Sequence, residues 1–274
     1  MKLALCNEMF ENAPFEQVCR VAAAYGYRGV ELAPFTFNSD VTAISLQKRR
    51  EIADTAARHG LEIVGLHWLL AKTEGLHLTH PDPAVRARTR DYLTALVQFA
   101  ADVGGRVLVF GSPAQRNLLP GVTYDQALEY AAEVFLPVCD AAGERGAVIA
   151  FEPLSRAETD FGCNLAQGLE IIERVNHPQF RLHFDAKAMS YEGEPLDRLV
   201  ASCAHLIEHV HVNDPNLLGP GMGDLDLAPM VRALAAAGYD GYLSVEVFRF
   251  DPGAERIARE SAEYLRRIAG DMLK

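Results

Sequence analysis

The sequence predicts an α/β protein that forms a single (β/α)8 TIM barrel over residues 1–274. Short strand-like apolar runs alternate with longer amphipathic runs, which is typical of βαβ units around a parallel sheet. Eight such strands can be counted, and this number favours a closed barrel over an open sheet. The length of 274 residues also suits one barrel, and no linker or low-complexity run divides the chain.

Each predicted strand is a short run rich in apolar side chains and bounded by turn-forming or polar residues. In chain order the eight strands are Lys2–Asn7, Gly29–Ala33, Glu62–His67, Arg106–Gly111, Val148–Pro153, Arg181–Asp185, Glu208–Asn213 and Tyr242–Val247.

The intervening segments have the features of barrel helices. In Pro83–Val103, apolar side chains recur at helical spacing, Asp82 supplies an N-cap and Gly104 ends the helix. Gly26 and Gly238 each turn the end of a helix into a strand that finishes near a glutamate. We expect such helices to pack one apolar stripe against the barrel.

Charge and composition limit the classes of function. The net charge of −11 and the pI near 5.3 give no general attraction to nucleic acid or to an anionic membrane. The five cysteines form no C-x-x-C, so neither a disulfide framework nor a zinc knuckle is indicated. The N-terminal apolar run is too short for a signal peptide, and no segment resembles a membrane span. We therefore expect a cytoplasmic protein that acts on a small molecule.

Four successive predicted strands, the fifth to the eighth, end in a side chain that can bind a metal ion. Barrel enzymes place their chemistry at the carboxyl ends of the strands, so a polar residue there points to a site. Three carboxylates with one imidazole suit Mn²⁺, Mg²⁺ or Co²⁺ better than an ion that prefers thiolates. The four residues are Glu152, Asp185, His211 and Glu246.

The alternation of side chains along the strands supports this interpretation. The four candidates share their inward face with His183, His209 and Ser244, whereas the outward positions are uniformly apolar. We expect these three residues to orient the metal ligands. Each candidate alone has another explanation, because an acidic residue after a strand is often an N-cap and a strand histidine often belongs to the core. Their joint occurrence favours a site.

Five segments together form a recognisable pattern. They are Phe151-Glu152-Pro153-Leu154, His183-Phe184-Asp185, the run from His209 to Asp214, the glycine-rich Gly219–Gly223 loop, and Gly238–Gly241 leading into Glu246. On these segments the chain resembles the xylose-isomerase-like TIM barrel superfamily, in the sugar phosphate isomerase/epimerase branch that contains the ketose 3-epimerases. The resemblance covers essentially the whole chain and is strongest from Val148 onward.

The resemblance implies one divalent ion, Mn²⁺ first with Co²⁺ or Mg²⁺ as alternatives, held by the four strand-end residues. It further implies that Glu152 and Glu246 act as acid and base, and that the protein is a homodimer or homotetramer. A metal that bridges a sugar carbonyl and the neighbouring hydroxyl stabilises the cis-enediolate formed on deprotonation. If the two glutamates face opposite sides of the carbon, the centre is inverted; if only one acts, or the proton returns to the neighbouring carbon, aldose–ketose isomerisation results.

The expected function is therefore a metal-dependent isomerase or epimerase of a small ketose or keto-sugar, phosphorylated or not. Two departures from the family pattern bear on the substrate. The ketose 3-epimerases that the chain resembles carry a histidine shortly after the metal-binding aspartate and an arginine shortly after the metal-binding histidine, whereas this chain has Ala188 and Leu217. Lys187 is a candidate replacement donor, with a solvated loop lysine as the alternative.

Other loop and strand-end residues are candidate substrate contacts. His67 and Trp68 could place an imidazole and a flat wall at a sugar, with core packing as the alternative for the tryptophan. Glu158 matches a substrate-binding glutamate of the epimerases by its spacing, with an exposed loop charge as the alternative. Arg116 and neighbouring backbone N–H groups could hold a phosphate or sugar hydroxyls. Glu31 ends the second strand, where a buried pair with an arginine is the competing explanation.

Three other functions stay open at this point. A lyase or dehydratase acting on a 3-keto sugar or polyol begins with the same proton abstraction and then expels a β-substituent. Apurinic-endonuclease-like phosphodiesterases share this barrel, but the chain has no Asp-x-His pair and its charge of −11 opposes binding to nucleic acid. A barrel that binds sugar without turnover is the third alternative.

Overall fold

Eight parallel strands close into a barrel in a computed structural model that describes residues 1–274. Neighbouring strands pair in chain order, and β8 closes the barrel by pairing with β1. This architecture confirms the predicted (β/α)8 fold. The strands are β1 (Lys2–Cys6), β2 (Gly29–Leu32), β3 (Glu62–Leu66), β4 (Val107–Phe110), β5 (Val148–Phe151), β6 (Phe180–Asp185), β7 (Ile207–Val212) and β8 (Tyr242–Val245).

Helices surround the barrel and connect its strands. None of them is both long and apolar enough to cross a membrane. The predicted helix Pro83–Val103 is α3 with the same ends; the Asp82 side chain accepts a hydrogen bond from Ala84 N, and Gly104 has a φ of 89°. The nine helices are α1 (Phe15–Ala24), α2 (Leu46–Arg58), α3, α4 (Tyr124–Glu144), α5 (Leu165–Val175), α6 (Ala186–Ser190), α7 (Leu196–Cys203), α8 (Ala228–Ala236) and α9 (Ala254–Ala269).

All eight predicted strands are confirmed, with differences of at most two residues at their ends. The differences are clearest at the carboxyl ends, where the chain leaves the ladder to form loops. Glu152 and Glu246 each lie one residue beyond the assigned strand, and Pro153 has no N–H with which to extend β5. The polar strand-end residues therefore lie at the rim of the barrel.

Strand register aligns several of the inward-facing candidate residues. Asp185 of β6 pairs with His211 of β7, which in turn pairs with Ser244 of β8. Two residues earlier, His183 pairs with His209. Because side chains alternate along each strand, all of these point into the barrel, while the apolar residues between them pack against the helices.

Candidate active site

The four predicted metal ligands lie together at the carboxyl end of the barrel. Donor atoms of Glu152, Asp185 and His211 lie within 4.8 Å of one another in a buried group that includes His183. Glu246 adjoins this group, with its Oε2 atom 3.1 Å from His211 Nδ1. Two ligands bound at right angles to a common ion at about 2.1 Å would be about 3.0 Å apart, so this spacing suits a shared ion.

The charge balance of the group also suits a cation. Burial, with the negative charges of Asp185 and Glu246, raises the pKa of Glu152 well above its usual range. Burial and the charge of Glu246 raise the pKa of Asp185 to about 6. Buried carboxylates that disfavour each other's charge lack a compensating positive charge. A hard divalent ion would supply it, and the oxygen-rich donor set fits such an ion.

Glu246 is held in place by aromatic side chains. Its Oε1 atom accepts a hydrogen bond of 2.7 Å from Trp68 Nε1 and lies 3.2 Å from His67 Nδ1. Burial opposes its ionisation, but interactions with His211 and His67 outweigh burial and lower its pKa well below the usual range. On its other side, His67 Nε2 lies 3.0 Å from Glu8 Oε2, a buried carboxylate that the sequence did not single out.

Glu31 occupies the centre of a buried hydrogen-bond network beneath these ligands. Its Oε2 atom accepts a hydrogen bond from Ser244 Oγ (2.7 Å) and lies 2.8 Å from His209 Nε2 and 3.1 Å from His211 Nε2. A buried pair with an arginine was the competing explanation for Glu31, and the structure pairs it with histidines instead. Neither His209 nor Ser244 hydrogen-bonds directly to a predicted metal ligand, and both hydrogen-bond to Glu31. The carboxylate favours a proton on His211 Nε2, which leaves Nδ1 free to bind an ion.

His183 differs from the other inward-facing histidines. Neither of its ring nitrogens has a hydrogen-bond partner, although the side chain is fully buried. Its ring lies 4.1 Å from the His211 ring at an interplanar angle of 74°. His183 therefore contacts the ligand His211 by edge-to-face packing rather than by the hydrogen bond that an orienting role would ordinarily use.

Asp185 both caps a helix and lies among the predicted metal ligands, two roles that the sequence analysis treated as alternatives. Its Oδ1 atom accepts a hydrogen bond from Ala188 N (2.6 Å) and so caps α6. Its Oδ2 atom accepts a hydrogen bond from Asn213 Nδ2 (2.6 Å). Asn213 Oδ1 in turn accepts a hydrogen bond from Lys187 N in α6, so both ends of the Asn213 side-chain amide are held. Asn213 is a second residue that sequence reasoning missed, although it follows His211 by only two positions.

A cavity of about 420 Å³ opens above these residues, and we call it the mouth cavity. This volume suits a small ligand. Gly111 leaves room for the site, because a Cβ atom at that position would lie 2.2 Å from Glu152 Oε2. The mouth cavity is lined by His67, Trp68, Ala71, Lys72, Val109, Gly111, Ser112, Pro113, Ala114, Gln115, Glu152, Leu154, Glu158, Glu246 and Phe248.

Glu158 and Lys187 form an ion pair at the edge of the mouth cavity. The Lys187 Nζ atom lies 2.7 Å from Glu158 Oε1 and 4.2 Å from the centre of the Phe248 ring. Ser155 donates a second hydrogen bond of 2.7 Å to Glu158 Oε2. The Lys187 side chain is only 5% exposed, so it is not the solvated loop lysine that was the alternative.

Arg116 lies below the site rather than at its surface. Its side chain is fully buried, and its guanidinium donates to the main-chain carbonyls of Glu152 (2.8 Å) and Gly162 (3.2 Å). Burial lowers its pKa to about 10. The structure gives no support to the prediction that Arg116 binds a phosphate or sugar hydroxyls, because Nη1 and Nη2 donate to carbonyl oxygens and the residue does not line the mouth cavity.

Comparisons with known proteins identify the family and support the fold. The fructoselysine 3-epimerase of Shigella flexneri is 24% identical over 280 residues, covering 98% of each chain. The L-ribulose 3-epimerase of Mesorhizobium japonicum is 29% identical over 186 residues, which are 68% of this chain and 62% of that protein. A crystal structure of D-psicose 3-epimerase in the presence of D-fructose superposes with a TM-score of 0.85 at 19% identity, covering 98% of this chain and 100% of the other. The family model described as xylose isomerase-like TIM barrel matches residues 19–268, and the chain belongs to that family, as its motifs predict.

Proposed function

We propose that this protein is a divalent-metal-dependent epimerase or isomerase of a small ketose or keto-sugar. The observation that carries the proposal is that Glu152 and Glu246 line the same mouth cavity and adjoin the same buried group of Asp185 and His211. The names of the related ketose 3-epimerases support the reaction class. Mn²⁺ is the preferred ion, with Co²⁺ or Mg²⁺ as alternatives.

The donor atoms of Glu152, Asp185, His211 and Glu246 would hold the ion. A divalent ion at this position supplies positive charge that polarises a sugar carbonyl and makes the adjacent C–H more acidic. The remaining chemistry belongs to the protein, since proton transfer needs a carboxylate next to that carbon.

In this proposal, Glu152 and Glu246 transfer protons on opposite faces of the substrate carbon. They follow β5 and β8, which are separated by β6 and β7 around the barrel. Their carboxylates therefore enter the mouth cavity from different sides of the rim. One glutamate would remove the proton from the substrate carbon, and the other would return a proton to the opposite face, which inverts the centre.

Aromatic and charged side chains would position the sugar. The Trp68 and Phe248 rings stack with centroids 6.0 Å apart and form one wall of the mouth cavity, where they can pack against C–H groups and exclude water. The Glu158–Lys187 pair presents polar atoms at the edge of the same cavity and can bind hydroxyl groups.

The proposal is tested by incubating Mn²⁺-loaded protein with D-fructose or L-ribulose in D₂O and following exchange and products by NMR. We expect deuterium at the inverted carbon and formation of the epimer. Glu152→Gln and Glu246→Gln should each lower the rate by about 10³-fold or more, because a metal ligand and a proton carrier are lost together. The exposed Glu51→Gln is the matched control.

The same experiment separates the alternative functions. A product that has lost a β-substituent would identify the lyase, while exchange at the neighbouring carbon would identify an aldose–ketose isomerase. Binding of the sugars without any exchange, in protein that holds the metal, would contradict the proposal.

A further inference from the structure

A second cavity lies beside the mouth cavity, and we call it the side cavity. Its volume is about 570 Å³, and Glu158 lines both cavities. Lys187 lines the side cavity and forms the ion pair with Glu158, so this pair is the partition between the two spaces. A ligand bound at the metal ligands that extends past Glu158 would enter the side cavity.

The lining of the side cavity combines an aromatic surface with unused polar groups. Tyr191 is 58% exposed and Leu217 is 37% exposed, which is unusual for side chains of their size. Arg156 lines the same cavity and has no ion-pair or hydrogen-bond partner in the protein. An aromatic face that packs on C–H groups, beside free hydrogen-bond donors, is chemistry that suits a sugar ring.

The loop that carries Leu217 connects the side cavity to the mouth cavity. The carbonyl oxygen of Leu217 accepts hydrogen bonds from Phe248 N (2.9 Å) and Arg249 N (3.0 Å). Leu217 adopts a φ of 73°, a conformation that costs a non-glycine residue energy and persists only when its surroundings impose it. These hydrogen bonds link the wall of the mouth cavity at Phe248 to the edge of the side cavity at Leu217.

The two residues that differ from the ketose 3-epimerase pattern also line the side cavity. Ala188 and Leu217 both line the side cavity. Ala188 is short, and Leu217 carries no hydrogen-bonding group, so neither closes the space with a polar contact to a small sugar. The volume is instead left open next to the partition formed by Glu158 and Lys187.

We propose that the side cavity is a subsite for a second sugar unit, and that the substrate is a ketose or keto-sugar carrying a glycosyl substituent. This inference rests on the proposed function, because it assigns the reacting unit to the mouth cavity. The substituent would pack against Tyr191 and Leu217, and Arg156 would bind its hydroxyl groups.

The test compares kcat/KM for deuterium exchange of D-fructose with that of D-fructose bearing a glucosyl group on O1 or on O6, all with Mn²⁺-loaded protein. We expect the better glucosyl-fructose to exceed D-fructose by about 10-fold, a factor that one aromatic contact and several hydrogen bonds can supply. Tyr191→Ala should remove most of this preference, and Ala157→Trp should fill the exposed edge of the cavity and remove it entirely. Both variants should leave the exchange of D-fructose within about 2-fold, since D-fructose does not reach the side cavity.

Arg88→Ala is the matched control, because Arg88 is an exposed arginine that lines a separate cavity of similar volume. It should leave both substrates unaffected. Exchange of D-fructose without any preference for the glucosyl-fructoses, or equal losses on both substrates in Tyr191→Ala, would overturn the subsite and leave the proposed function standing.

Absence of exchange with every sugar would instead contradict the proposed function. In that case, titration calorimetry of the glucosyl-fructoses with the unreactive Glu152→Gln protein decides the subsite. Binding that weakens on adding Tyr191→Ala supports the subsite, and binding that is absent or unaffected by Tyr191→Ala overturns it.

Discussion

At the scale of single residues, Glu31 contacts His211 from beneath and does not line the mouth cavity. Its carboxylate is buried and lies 3.1–3.2 Å from His211 Nε2. Burial opposes its ionisation, but the interactions with His209 and His211 outweigh burial and lower its pKa well below the usual range. A charged acceptor at Nε2 would raise the basicity of the ring and leave Nδ1 to face a bound ion.

We therefore expect Glu31→Gln to weaken Mn²⁺ binding by about 10- to 100-fold, because the amide is neutral and does not enforce the His211 tautomer. Competition against a fluorescent chelator measures this affinity. The exposed Glu51→Gln should bind Mn²⁺ like the unaltered protein. An unchanged affinity in Glu31→Gln would show that Glu31 serves the folded core alone.

Trp68 offers a second test at this scale, because one side chain both forms a wall and holds Glu246. Trp68→Phe keeps an aromatic ring against Phe248 but removes the 2.7 Å hydrogen bond to Glu246 Oε1. Loss of a hydrogen bond to a charged group corresponds to about 1.5–3 kcal/mol. We expect kcat to fall by about 10-fold or more with little change in KM, as measured by steady-state kinetics. A rise in KM alone would mean that Trp68 only binds substrate.

The residues that sequence reasoning identified and those that it missed differ in a physical way. Glu152 and Glu246 could be predicted because each follows an apolar strand, where side-chain alternation and barrel topology fix the direction in which the side chain points. Glu8 and Asn213 were not identified, and Glu31 was named without its histidine partners, because the side chains that these residues contact lie on segments remote in sequence. Arg116 was assigned to substrate because the sequence does not show whether a loop arginine turns toward solvent or toward buried carbonyls.

At the scale of elements, Gly65 occupies a position in the barrel wall where an added side chain would meet main-chain atoms of the next strand. Gly65 of β3 lies against Val107 of β4, and a Cβ atom there would lie 1.9 Å from the Val107 carbonyl oxygen. That contact involves main-chain atoms, so no rotamer change can relieve it. The two strands would have to separate, which breaks ladder hydrogen bonds.

We expect Gly65→Ala to lower the free energy of unfolding by about 3 kcal/mol, as measured by urea denaturation. Gly143→Ala is the matched control, because Gly143 lies in α4 and its added Cβ would meet only ordinary contacts of 3.7 Å or more. That change should raise stability by up to about 1 kcal/mol through helix propensity. Equal effects of the two substitutions would show that β3 and β4 can separate at low cost.

Sequence patterns located the strands and α3 well but did not fix the residues at which the strands end. Alternating apolar runs and glycine or proline boundaries identified all eight strands and the full extent of α3. The ends of the strands depend on where each neighbour stops offering hydrogen bonds, as at Phe110 and Glu152, where the last β4–β5 bond lies beyond the assigned strand β5. Such limits depend on pairing and are not encoded by a single segment.

At the scale of the whole molecule, closure of the barrel brings together acidic side chains that are far apart in the sequence. Asp185, Glu152 and Glu246 come from three different strands and are buried together. Bringing them together without a cation costs free energy, which the raised pKa values of Glu152 and Asp185 reflect. A bound ion should therefore stabilise the entire fold.

We expect Mn²⁺ at about 100 times its Kd to add about 2.7 kcal/mol of stability and to raise Tm by roughly 5 °C relative to chelator-treated protein. Differential scanning calorimetry measures the shift. Asp185→Asn should reduce it strongly, whereas Glu51→Gln should retain it. A Tm that does not respond to Mn²⁺ would mean that the carboxylates form no ion site.

The most direct test of the central claim is the anomalous diffraction of crystals grown with Mn²⁺, recorded at the manganese edge. We expect one strong peak within about 2.5 Å of donor atoms from Glu152, Asp185, His211 and Glu246 together. A peak that contacts other residues, or no peak in crystals of protein shown by elemental analysis to lack the ion after loading, would contradict it.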